Sequence, residues 1–257
     1  MPLWAPFATM AAVFVVVSLV SVAVIGIAVA SDPSIKASDP PESLTLVLTV
    51  VQDAVLVLAA ALTLKLVLGR VVARDLGLRP VVDWRRALKV AVVCYAAYWV
   101  AASILSALFK PPQQQIVTDL KTEHAAGILI GFAVLTCVVA PICEELFFRG
   151  FLFAALARRL GPRWAALVAG AVFGLVHAPN PLVGLIALAV LGVCLCALFW
   201  RTQSIIPCMA LHALNNSISF GVTKSLHAGL FAALVIGSVG LVVALASVAS
   251  ARSAVTA

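Results

Sequence analysis

Charge is what this sequence has least of. Asp, Glu, Lys and Arg make up 11% of its 257 residues, while 64% are hydrophobic. An ordinary soluble domain carries about 25% charged residues, so a water-facing globular surface cannot be built from this composition. Carboxylates are scarcest: there are ten, and none follows Glu145. Six cysteines are present (Cys94, Cys137, Cys143, Cys194, Cys196 and Cys208), all inside apolar stretches and without CxxC spacing. That excludes a disulfide framework and a cysteine zinc site, and the thiols read as small apolar side chains. Stretches mixing aromatic and basic residues are also missing. The formal charge of +7 therefore implies no nucleic-acid surface. There is no internal repeat and no low-complexity tail.

What fills the chain is a series of apolar runs, near 7–30, 44–69, 88–109, 125–147, 163–179, 181–200, 204–221 and 226–249. About 20 apolar residues cross a bilayer as a helix. The pattern predicts an all-α fold, a polytopic transmembrane bundle of about eight helices. The first run lacks a basic leading segment and exceeds the apolar core of a signal peptide, so it is expected to stay as a first span. The fifth to seventh runs are short and joined by tight turns such as Ala178–Pro181, as in helices lining a bundle interior. Phe151–Leu160 is too short to span and either continues the fourth helix or lies at the interface. Residues 1–110 form three amino-terminal spans, and residues 111–257 form a core of about five.

The basic residues are lopsided. Arg70, Arg74, Arg79, Arg85, Arg86, Lys89, Arg149, Arg158, Arg159, Arg163, Arg201 and Arg252 fall on one side of the predicted bundle. Lys36, Lys110, Lys121 and Lys224 fall on the other, and Lys65 sits within a span. Loops rich in Lys and Arg stay in the cytoplasm. The expectation is a multi-pass protein of the cell membrane with both termini cytoplasmic.

Against this background a few polar residues stand out. Glu144 and Glu145 close an apolar run, and apolar residues continue after them. An ionised side chain at the centre of a membrane helix costs on the order of 3 kcal/mol on insertion scales. Arg149 lies one turn after Glu145, which suits a helical ion pair. Glu144 is then left on a face about 100° away. Phe173 and His177 end the fifth run. His212 and Asn216 share one face of the seventh, with Asn215 expected to point elsewhere and to make a structural hydrogen bond. His124 and His227 lie near span ends beside polar residues. A lone histidine in an apolar helix is usually a packed one, but polar groups on three successive helices, with no nearby Lys or Asp, predict one shared interior site.

Glu144-Glu145-xxx-Arg149, Phe173-xxx-His177 and His212-xxx-Asn216, in this order, resemble the CAAX prenyl protease and bacteriocin-processing family, which includes the type II CAAX proteases. The resemblance covers roughly residues 125–221. It implies an intramembrane endopeptidase acting on a membrane-associated or prenylated, CAAX-type protein or peptide. In that reading Glu144, helped by His177, activates water, and His212 and Asn216 stabilise the oxyanion. Glu145, Arg149 and Phe173 are structural or substrate-orienting. The chemistry is sound, because a carboxylate can act as general base and an Asn amide or His N–H can donate to an oxyanion. No cofactor is required. Two histidines and a carboxylate are equally a zinc ligand set, so Glu144, His177 and His212 could instead hold Zn2+ or another divalent metal, although HExxH is absent. Two other function classes fit the polar cluster: a non-catalytic immunity or signalling protein using it for packing, and a proton-coupled transporter. A transporter is disfavoured because the cluster is confined to one half of the chain.

Overall fold

A computed structural model describes residues 2–110, 125–178 and 180–255, without the side chains of 253–255. Lys121 and His124, and the residue 111 at which the second part of the chain was expected to begin, lie outside the described residues, as does Pro179 of the predicted tight turn.

The described residues form helices and no strands. In chain order these are α1 (Trp4–Ser31), α2 (Glu42–Leu68), a short 3-10 turn (Ala73–Leu76), α3 (Trp84–Phe109), α4 (Ala126–Val134), α5 (Ala140–Glu145), α6 (Ala154–Leu175), α7 (Leu182–Thr202), α8 (Ile206–Thr223) and α9 (Ala228–Val255). Among the described residues six segments are long and apolar enough to cross a membrane, and one of them, Ala126–Leu175, is 50 residues of near-continuous helix. The chain is a multi-pass membrane protein. α8 is excluded from that set by its own polar residues, among them His212, Asn215 and Asn216.

Local chemistry sets the breaks. The Asp83 carboxylate accepts the Arg86 N–H at 2.9 Å, capping the start of α3 and satisfying one of the donors a helix start leaves free. Gly161, at φ +75°, ψ 160°, interrupts α6 just before Pro162. Glycine tolerates that φ, and proline opens the helix that follows. Counting the rods on either side of Gly161 separately gives eight, as the hydropathy pattern predicts. Phe151–Leu160 continues the fourth helix. Phe151, Leu152, Phe153 and Leu156 are buried, so this stretch is core at its start and reaches the exterior only at Arg158–Leu160.

Between α4 and α6 the helix widens twice into π turns, at Leu135–Val139 and Leu146–Phe153. Such widenings are rare and are often found at functional sites. They flank α5, which carries Glu144 and Glu145. α5 packs on α2 and α8, α6 on α7, α7 on α3, and α8 on α9. Phe147, Phe148, Phe151, Phe153 and Phe173 fill the centre. Arg149 is also there, with no exposed surface. It does not belong among the loop charges with which the charge count placed it. The remaining asymmetry of Lys and Arg is unaffected in sign.

Candidate active site

Two neighbouring glutamates leave α5 in different directions and meet different surroundings. Glu145 is fully buried. Its Oε1 accepts from the Arg149 guanidinium at 2.8 Å, the expected i,i+4 pair. The same oxygen lies 2.8 Å from Nδ1 of His212. A carboxylate that also receives an arginine N–H acts as acceptor, so Nδ1 of His212 carries the proton. Arg149 makes a second hydrogen bond, to the Gly192 carbonyl on α7 at 3.3 Å. It also stacks on Phe173, with Cζ 4.5 Å from the ring centre. Desolvating an ion pair is costly unless several donors and acceptors are matched. Here one Glu145 oxygen takes two N–H donors and an aromatic face covers the guanidinium, while Glu145 Oε2 and Arg149 Nε have no partner among the described residues.

Phe173 ties these groups together. Its ring centre is 4.9 Å from that of His177 and 5.7 Å from that of His212. The Phe173 carbonyl lies 2.7 Å from Nδ1 of His177. A carbonyl only accepts, so Nδ1 of His177 donates and Nε2 is left with its lone pair. Gly174, next to Phe173, permits this arrangement: a Cβ there would run into the Leu185 carbonyl of α7.

Glu144 is only 12% exposed. Its Oε2 makes no hydrogen bond and lies 4.0 Å from Nε2 of His212. It lines a cavity of about 370 Å³ whose wall also includes the polar side chains of His177, His212, Asn215 and Asn216. Asn216 donates from its amide to the Thr136 carbonyl in the first π turn at 2.9 Å. That uses one of two N–H groups and leaves the other for the cavity. A larger apolar cavity of about 490 Å³ lies between α3, α8 and α9 and touches none of these residues. Size alone is therefore a poor guide to the site in a membrane bundle, where apolar grooves face lipid.

All of Glu144, His177, His212 and Asn216 thus reach one cavity, and Glu145, Arg149 and Phe173 sit buried behind it. Two expectations need correcting. Asn215 does not point elsewhere: it lines the same cavity, within hydrogen-bond distance of Asn216 (3.3 Å) and Tyr95 (3.5 Å). A wall about 100° wide takes in adjacent helical residues. An aspartate is also nearby. Asp53, on α2, is 1% exposed, and α2 packs on α5, which carries Glu144. Its neighbour Gln52 lines the cavity, as do Thr45 and Thr49. The signal for α2 was two adjacent polar residues, Gln52-Asp53, in the middle of an apolar run.

The proposed metal set does not gather. Among the described residues no three His, Cys, Asp or Glu side chains form a group able to hold a metal ion. Nδ1 of His212 and Nδ1 of His177 are each engaged by protein oxygens, which leaves Nε2 as the open nitrogen of each ring.

Comparison with known proteins points the same way as the motifs. Residues 126–218 match the family described as type II CAAX prenyl endopeptidase Rce1-like. Over 103 residues the chain is 29% identical to an uncharacterized protein of Bacillus subtilis (strain 168), YyaK, a match covering 38% of this chain and 32% of that protein. The chain thus aligns with about a third of that relative's length. No solved structure matches. The matched residues run from the start of α4 into α8 and contain every motif position lining or backing the cavity. The chain is a membrane protein whose residues 126–218 are similar to the family described as type II CAAX prenyl endopeptidase Rce1-like.

Proposed function

We propose that this protein is an intramembrane endopeptidase that hydrolyses a peptide bond of a membrane-associated or prenylated, CAAX-type substrate in the cavity bounded by α2, α5, α7, α8 and the turn that follows α6. The observation that carries the reading is the Glu144 carboxylate, one oxygen of which has no hydrogen bond, in the wall of a cavity also lined by His177, His212 and Asn216. A water there can donate one hydrogen bond to Glu144 and another to Nε2 of His177. Glu144 takes the water proton as its oxygen attacks the substrate carbonyl carbon. The free N–H of Asn216 donates to the resulting oxyanion. Nε2 of His212 donates there too when the ring carries a second proton, while Nδ1 stays with Glu145. Collapse of the tetrahedral species breaks the C–N bond, and the proton held by Glu144 passes to the leaving amine. A well-placed oxyanion donor is worth about 3 kcal/mol.

In this reading Glu145, Arg149 and Phe173 position other groups without touching substrate, since all three are completely buried. Comparing membrane-derived peptides from cells making the wild type with those making Glu144→Gln tests the assignment. Products present only with the wild type are expected; identical peptide sets would favour a packing role. A strong chelator is expected to leave cleavage intact, and loss of activity restored by zinc would contradict the metal-free route.

A further inference from the structure

Glu144 faces two cavities, and their walls differ. Besides the polar one there is a smaller cavity of about 240 Å³ between α1, α2 and the end of α6. Met10, Val13, Phe14 and Val17 of α1 give it an apolar wall. The two cavities share three wall residues: Gln52, Glu144 and His177. Two of these are the proposed water-activating pair. The third is an amide on α2, outside the matched family segment.

Gln52 lies near the middle of the 27-residue α2. Thr45, Thr49 and Gln52 recur at spacings that place them on one helix face, and all three line the polar cavity. The Thr49 hydroxyl is occupied by the Thr45 carbonyl at 2.8 Å. Gln52 is exposed and makes no hydrogen bond with any described residue. An unbonded amide at membrane depth is costly against lipid. The cost disappears if something polar occupies the space in front of it. A primary amide offers one acceptor and two donors in a plane, the complement of a peptide group.

Resting on the proteolytic reading above, we propose that Gln52 binds the substrate's peptide group at the junction of the two cavities. An apolar substrate group beside the cut bond occupies the α1-side cavity, and the polar remainder lies in the larger one. The smaller cavity has an apolar wall on its α1 side yet opens on the Glu144 carboxylate, so its occupant is an apolar group tethered to a peptide held there. α1 and α2 then determine which substrates are accepted.

The test uses the full chain in proteoliposomes and two fluorescent peptides of one sequence, one with a farnesylated cysteine and one without. Binding is measured in the Glu144→Gln background and cleavage in the active one. Gln52→Leu is expected to weaken binding of both peptides about tenfold and to raise KM by the same factor, with kcat within about twofold. Val17→Trp, which fills the apolar cavity, is expected to weaken the farnesylated peptide alone. Unchanged Kd and KM in Gln52→Leu would overturn the assignment, as would failure of both peptides to bind. Farnesyl binding untouched by Val17→Trp would show that the small cavity holds lipid and overturn its half. Gln52-dependent binding without cleavage would leave this inference standing and sink the proteolytic reading.

Discussion

Glu145 holds two partners on one oxygen, and that makes it the residue on which the site's geometry most depends. Replacing it with Gln leaves the Arg149 guanidinium buried without its counter-charge, which typically costs about 3–5 kcal/mol. Unfolding of the purified variant in mixed micelles should show a loss of that order. The double variant Glu145→Gln/Arg149→Met should lose less than the sum of its singles, because the orphaned charge is gone. Asp53 is expected to behave in the opposite way. It is buried, and neither of its oxygens accepts a hydrogen bond from a described residue. Asp53→Leu should therefore keep or raise stability, by up to about 1–3 kcal/mol, in the same unfolding assay. A clear loss would mean that Asp53 has a partner in the membrane. The Glu145–Arg149 pair is readable in the sequence because helical spacing alone brings the two together. The contact of Glu145 with His212 is not, since 67 residues separate them and only the packing of α5 on α8 closes the gap.

At the scale of elements, the site depends on helices that approach closely. Gly170 and Gly174 of α6 face α7, and a Cβ on Gly170 would come within 2.8 Å of the Ala189 carbonyl. Close approach through small residues is the usual way membrane helices gain contact. Gly174→Val should push α7 away and displace Phe173 and His177 with it. Activity should fall by a factor of about 100, the scale of an ångström's misplacement at a catalytic group. Trp fluorescence or circular dichroism should report retained helix. Gly150→Ala should act further off, because its Cβ would collide with the Leu76 carbonyl of the 3-10 turn. Helix positions and the break at Gly161–Pro162 follow from hydropathy and from proline chemistry, and so were legible. The two π turns were not: nothing in the composition of Leu135–Val139 or Leu146–Phe153 distinguishes them from ordinary helix. The part played by α2 was only half legible. Gln52-Asp53 is visible as a polar interruption, but which face it presents depends on packing against α5.

For the whole molecule, the eight rods and the lopsided distribution of Lys and Arg lead to the proposal that both termini are cytoplasmic. Reporter fusions at each end should both read as cytoplasmic, and opposite readings would require an odd number of crossings. The bundle brings together residues from α2, α5, α7, α8 and the turn after α6 around one cavity. Its proposed chemistry rests on one carboxylate. The most direct measurement is therefore the cleavage rate of the reconstituted protein carrying Glu144→Gln, on a peptide the wild type cuts, with unfolding followed in parallel. Loss of a general base lowers rates by about 10²–10⁴. The predicted result is a fall of that size with stability unchanged or raised; cleavage within a few-fold of wild type would contradict the account.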